Sequence, residues 1–199
     1  MFLDTKEQIR RSLDIYKKYV DVYKKYNENK ILQFSLNYFI SLLPKNSKIL
    51  DAGCGTGRDS LYFLEENFNV LAVDISKQML EEAKNRGLKT INIDLVNEEL
   101  NEKFNGIWCM SLISELTESE AKKLIANFYK ILENNGILYL SLKYGSGKLK
   151  YKDRRYNNIT RNFVFYNEKT IFNLLYKFKI IKTIISLDKE WIEVFAKKL

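Results

Sequence analysis

The stretch ILDAGCGTGRDS, residues 49–60, carries three of the chain's eight glycines, at Gly53, Gly55 and Gly57. An apolar run leads into it and a helix-like run leaves it. Glycine weakens any strand or helix that contains it, so such a cluster marks backbone that bends tightly or is approached closely. A strand, a glycine-rich turn and a helix form the layout in which backbone N–H groups face a ligand. A tight strand-to-helix junction without a ligand would use the same residues.

Working outward, short β-like runs alternate with helical ones. KILDAG (48–53), NVLAVD (69–74), KTINID (89–94), FNGIWCMS (104–111) and GILYLSLK (136–143) read as strands. RDSLYFLEEN and SKQMLEEAKNRG between them read as helices, the second with Ser76 as N-cap and Gly87 at its end. Thr117 and Glu120 form a capping-box pair that opens a helix to about Asn134. This alternation predicts an α/β fold with a mostly parallel sheet and helices on both faces. Near the end, a helix at 167–177 precedes FKIIKTIISL and WIEVFAKK, separated only by DKE. Strands so close must run antiparallel, so a seven-stranded sheet ending in an antiparallel hairpin is expected.

The first 43 residues read as helical, with Ile9, Leu13, Tyr16, Val20 and Tyr23 on one stripe, then Ile31, Phe34, Leu36, Phe39 and Leu43. Pro44, the sole proline, stops that pattern. At 199 residues the chain reads as one domain; a domain of that size buries roughly 70% of its unfolded surface. Its expected parts are an N-terminal helical lid (1–44), a ligand-binding core (45–143), a polar, basic flap (144–162), and a C-terminal helix with the hairpin (163–199). The flap, YGSGKLKYKDRRYNNITRN, reads as a mobile loop.

Charge is uneven. Residues 1–48 hold ten basic and five acidic side chains, residues 49–142 nine and fifteen, and residues 143–199 fourteen and five. An acidic middle between basic ends hints at an anionic partner held by the ends, although solvated lysines give the same pattern. With no histidine, and two cysteines far apart, no metal is expected and a Ser-His or Cys-His nucleophile is excluded. No apolar run approaches the ~18 residues of a membrane span and none at the start resembles a signal peptide, so a cytoplasmic protein with no membrane partner is expected.

Three strand ends fall in register with the glycine turn. Asp74 ends the second strand, where a carboxylate can accept from both hydroxyls of a ribose. Asp94 ends the third and Met110–Ser111 the fourth. Dinucleotide sites favour GxGxxG, whose helix N-terminus takes a pyrophosphate. Here GxGxG follows Asp51, which would repel one, and a cofactor with a positive end suits it better.

ILDAGCGTGRDS, VLAVDIS with Met79, INIDL, FNGIWCMSLI and LENNGILYLSLKYG together resemble the class I S-adenosylmethionine-dependent methyltransferases, and within them the small bacterial proteins of tellurite-resistance type. The likeness includes Tyr16 and Tyr23 ahead of the core, Arg155–Tyr156 in the flap and Trp191 in the last strand. It implies a Rossmann-like fold with S-adenosylmethionine on the turn formed by Gly53, Cys54, Gly55, Gly57 and Arg58. Asp51 and Gly53 would lie against its methionine part and Asp74 would hold its ribose. Ile75 and Met79 would pack on the adenine, Asp94 and Leu95 would meet its amino edge, and the backbone near Met110 would pass beneath the sulfonium. Relatives commonly have a histidine after the fourth strand where this chain has Ser114.

No residue need be catalytic, because the cofactor supplies the reactive carbon. Candidate acceptor contacts are Tyr16, Tyr23, Ser111, Ser114, Glu115, Tyr144 and Arg155. The favoured acceptor is a small molecule, with an anionic one suggested by the seven basic residues against one acidic between Lys143 and Arg161. RNA is the alternative acceptor, since aromatics among cations suit single strands. A non-catalytic cofactor-binding protein and a nicotinamide enzyme are the other readings weighed. Asp/Asn-Pro-Pro-Tyr and Pro-Cys signatures of DNA methyltransferases are absent.

Overall fold

The computed structural model describes residues 5–27 and 32–199, with the backbone alone for 5–9 and for Tyr151. Its main sheet has seven strands: β1 (Lys48–Ala52), β2 (Asn69–Asp74), β3 (Thr90–Asn92), β4 (Phe104–Met110), β5 (Leu132–Lys143), β8 (Phe178–Ile185) and β9 (Trp191–Lys198). They run in the order β3-β2-β1-β4-β5-β9-β8. The first five are parallel, and β9 lies antiparallel between β5 and β8. The sheet and its closing hairpin therefore match the sequence reading.

Successive side chains of a strand point to opposite faces, and here both faces are dry. Leu50, Leu71, Ile107, Leu138 and Leu140 join a cluster with Leu124 and Phe128 of α6 (Glu118–Ile131) and Ile171 of α7 (Glu168–Leu174). Their neighbours Ile49, Val70, Trp108, Ile137 and Tyr139 face the other way, onto Phe39 of α3 (Gln33–Ser41) and Phe63 of α4 (Arg58–Glu65). Trp108 and Tyr139 stack with ring centroids 3.6 Å apart, because their positions are partners across β4 and β5. The expected caps form: the Ser76 hydroxyl accepts from Met79 N–H at the start of α5 (Lys77–Asn85), and Thr117–Glu120 makes a complete capping box.

Some element ends shift: α6 stops at Ile131 rather than near Asn134, and β3 stops at Asn92, two residues short of Asp94. Two regions depart further from the sequence reading. The helical N-terminus is three helices, α1 (Thr5–Lys18), α2 (Val20–Asn27) and α3. Ile31 and the side chain of Ile9, both assigned to the apolar stripe, lie outside the described residues. Residues 144–162, expected as a polar, basic loop, belong instead to a hairpin of β6 (Gly147–Asp153) and β7 (Ile159–Phe165) that forms its own two-stranded sheet. Asn157 and Asn158 near its tip adopt φ of 55° and 60°, the left-handed backbone that tight hairpin turns use. Tyr156, Phe163 and Val164 are buried and anchor it. Composition alone hid this, because lysines at alternate positions 148, 150 and 152 share one side of β6 and mask a strand pattern.

Candidate functional site

The carboxyl ends of β1, β2 and β4 meet at one rim, and the glycine turn lies on it. Gly53 and Cys54 both donate their N–H to the Val73 carbonyl at 2.9 Å, tying the turn to β2. Asp74, at the end of β2, accepts from Gly55 N–H at 2.9 Å and from Ser76 N–H at 2.8 Å. Burial pushes the Asp74 carboxyl up, and those two backbone N–H groups oppose it. Asp74 thus organises both the turn and the start of α5 before any ligand is considered.

The glycines serve different ends. A Cβ on Gly57 would stand 2.3 Å from Leu88 Cδ1 and 3.1 Å from Ala83 Cβ, so this position lets α5 and the segment after it close against the turn. A Cβ on Gly55 would stand 2.9 Å from the Tyr23 hydroxyl, so here α2 is the close neighbour. Tight packing, the bland reading, holds for Gly57. Gly55 keeps the outer side of the turn flat.

Beneath the turn lie two carboxylates. Asp51 is buried and accepts from the Ser60 hydroxyl at 2.6 Å. Burial, then repulsion from Asp59, raises its carboxyl to about 8. Asp59, also buried, accepts from the Trp108 indole N–H at 2.9 Å and from Arg58 at 2.7 Å. Arg58 reaches further, donating to the Asn27 carbonyl at 2.9 Å and to the Met110 sulfur at 3.3 Å. Cys54 stays a neutral thiol, pushed up first by burial and then by Asp51 and Asp74.

A second cluster closes the rim from the side of α1 and the hairpin. The Tyr16 hydroxyl donates to Glu115 at 2.9 Å, and the Ser12 hydroxyl donates to the other carboxylate oxygen at 3.0 Å. Arg161 of β7 donates to the Tyr16 hydroxyl at 2.8 Å and forms an ion pair with Glu115. Tyr16 and Tyr23 meet edge to face with centroids 5.9 Å apart. Burial is the main reason both phenols are pushed above their ordinary range. Arg155 pairs instead with Asp153, through contacts of 2.9 and 2.6 Å.

A family model described as a methyltransferase domain matches residues 49–136, the segment that holds the turn, Asp74 and the β4 rim. Those residues are therefore similar to methyltransferase domains over the part of the chain that carries the turn. A glycine/sarcosine N-methyltransferase of Aphanothece halophytica is 33% identical over 115 residues, covering 52% of this chain and 43% of that protein. The chain spans less than half the length of the curated glycine/sarcosine N-methyltransferases it matches. Among solved structures, a Burkholderia thailandensis 1,6-didemethyltoxoflavin-N1-methyltransferase, with S-adenosylhomocysteine bound, superposes with a TM-score of 0.79. That likeness covers 100% of this chain and 92% of that one at 18% identity. A TehB-like S-adenosylmethionine-dependent methyltransferase of Corynebacterium glutamicum gives 0.71 over 92% and 97% of the two chains, also at 18% identity. At that identity the fold is what is shared, and it is the Rossmann-like fold of class I methyltransferases.

Within the matched residues, Asp51, the turn from Gly53 to Arg58, Asp74 and Met110 come together on the rim. Met79 and Leu95 are buried beside it and Ile75 is partly exposed. Asp94 turns its carboxylate into its own loop, accepting from Val96 N–H at 3.0 Å and the Asn97 amide at 2.7 Å. Of the acceptor candidates, Tyr16, Tyr23 and Glu115 converge on the rim. Ser114 is buried and accepts from Lys143 N–H at 2.8 Å, a structural task that takes its hydroxyl out of reach of an acceptor. Ser111 is half-buried in left-handed backbone (φ 65°), and Tyr144 is bridged to Tyr166. Arg161, not Arg155, joins the cluster. The signal for it was a lone charge sharing a strand face with Phe163, in a segment read as loop. Among the described residues no helix is long and apolar enough to cross a membrane.

Proposed function

We propose that the protein is an S-adenosylmethionine-dependent methyltransferase whose acceptor is a small nitrogen compound. The observation that carries the cofactor is the acidic turn inside the matched residues: Asp51 behind GxGxG and Asp74 beside it. A pyrophosphate would find Arg58 already committed to Asp59 and Asn27, and it would oppose any ionisation of Asp51 and Asp74. A nucleoside with a cationic end and two ribose hydroxyls fits the same donors and acceptors. Asp74 would accept from the ribose, and Asp51 would gain its charge opposite the cation.

When bound, the cofactor supplies an electrophilic methyl group. The chain's own part is to hold both reactants in line and keep water out, and such positioning can contribute roughly 7–11 kcal/mol. Tyr16, Tyr23 and Glu115 make the wall on the acceptor side, and Arg161 and Ser12 hold Glu115 and Tyr16 in place. An amine that has given its ammonium proton to solvent attacks through its lone pair and leaves as the methylated ammonium, so no histidine is needed to activate it. Relatives named for glycine and sarcosine support a nitrogen acceptor. Arg161 and Arg155 are paired with Glu115 and Asp153, so these two guanidinium groups do not single out an anionic acceptor.

The test is methyl transfer from labelled S-adenosylmethionine to glycine, to sarcosine, to the small-molecule fraction of a cell extract and to total RNA. Label in an amine of low molecular mass is expected. Label in RNA alone would replace the acceptor reading. Stabilisation by NAD and not by S-adenosylhomocysteine would remove the cofactor reading.

A further inference from the structure

α2 is an eight-residue helix with no fully buried side chain, yet it lies against the turn that the proposed cofactor would need. Its hold is polar. Lys24 reaches Glu82 of α5 at 2.7 Å, the Asn27 carbonyl at its end accepts from Arg58, and the Tyr23 hydroxyl rests on Gly55. Tyr19 joins α1 to α2, its N–H donating to the Ile15 carbonyl and its own carbonyl accepting from Tyr23 N–H, both at 2.9 Å. A short segment with no fully buried side chain is the kind that opens locally while the core stays folded. The contacts also span the site: Glu82 is on the helix that starts beside Asp74, and Arg58 starts the helix on the other side of the turn.

We propose that α2 is a gate over the cofactor site, and that the Lys24–Glu82 ion pair is a latch that sets how fast cofactor and product exchange. The inference rests on the cofactor reading above and adds a role for residues that touch neither reactant. Closed, α2 places Tyr23 on the turn and shields the rim from water. Opening swings α2 away from Gly55 and frees a path along the outside of the turn. Product must leave in every cycle, so the latch bounds turnover from outside the chemistry.

The probe is S-adenosylhomocysteine, with rates by stopped-flow fluorescence on the full chain and affinity by calorimetry. Glu82→Lys sets two like charges opposite each other. Half-exposed ion pairs are weak, so association and dissociation should both rise by about three- to tenfold, while Kd moves by less than about twofold. The exchanged pair Lys24→Glu/Glu82→Lys should return both rates toward wild type, and Glu82→Gln should fall between. Backbone hydrogen exchange over residues 20–27, without ligand, should quicken in Glu82→Lys and slow again in the exchanged pair. Unchanged rates, or a weaker Kd at unchanged association, would overturn the gate. So would exchange over 20–27 that ignores both variants. Failure of the wild-type chain to bind S-adenosylhomocysteine would instead overturn the cofactor reading, and the gate with it, while leaving the hydrogen-exchange result to report whether the latch holds α2.

Discussion

Gly57→Ala separates the packing role of the turn from its ligand role. The residue has φ of 81°, and an L side chain in left-handed backbone costs roughly 1–2 kcal/mol. The new methyl would also stand 2.3 Å from Leu88 Cδ1, 3.1 Å from Ala83 Cβ and 3.3 Å from Ala83 Cα. The Leu88 methyl can rotate aside, but Ala83 is held by the backbone of α5. Overpacking of that kind costs about 1–3 kcal/mol. The total of about 2–5 kcal/mol corresponds to a Tm lowered by about 4–20 °C, at ~2–4 °C per kcal/mol for a domain of this size. Gly53→Ala is the control. Its φ is similar at 77°, but its methyl would meet Leu112 at an ordinary 3.4 Å, so only the backbone term applies. Thermal and urea unfolding of both variants, with S-adenosylhomocysteine affinity measured well below either Tm, resolves the two contributions. If Gly57→Ala is destabilised no more than Gly53→Ala, the proposed closure of α5 on the turn is wrong.

Asp74→Ala should weaken S-adenosylhomocysteine binding by about 1–3 kcal/mol, since ribose hydroxyls would lose a charged acceptor; an unchanged calorimetric Kd in a folded protein would take Asp74 out of the site. Burial and Asp59 push the Asp51 carboxyl up to about 8 from an ordinary 3.8, so the folded chain keeps a proton that the unfolded chain gives up. Stability should therefore fall as pH rises from about 4 to about 8 and then level off. Urea unfolding of Asp51→Asn should show a shallower decline over that range, and an identical slope would place the proton elsewhere. Arg161→Ala leaves Glu115 and Asp153 short of a partner and should cost about 3 kcal/mol or more, as breaking a buried ion pair does; Arg155→Ala, on a more exposed side chain, should cost less, and the reverse order in urea would contradict the cluster described here.

Much of the fold was legible because its signals are local. NVLAVD coincides with β2 residue for residue, and the caps at Ser76 and Thr117 fall where their hydroxyls precede helical runs. The Gly-rich turn, Asp51 and Asp74 were legible for the same reason: a strand end and the turn after it are contiguous in the chain. The β6–β7 hairpin was not, since its alternation of lysines with mixed partners resembles a solvated loop until Tyr156 and Phe163 find cover.

The sequence by itself determined the parallel α/β sheet, its antiparallel close and the acidic glycine turn, each written in periodicity and spacing over a dozen residues or fewer. Only the tertiary structure decided which glycine faces α5 and which faces α2, because both have left-handed backbone and differ in their distant neighbours alone. It also decided that Arg161 rather than Arg155 meets Tyr16 and Glu115, contacts made across 145 and 46 positions of chain. Burial then gave those groups their chemistry. A carboxyl such as Asp51 titrates near 8 because the fold removes water and sets Asp59 beside it, and neither condition exists in the unfolded chain.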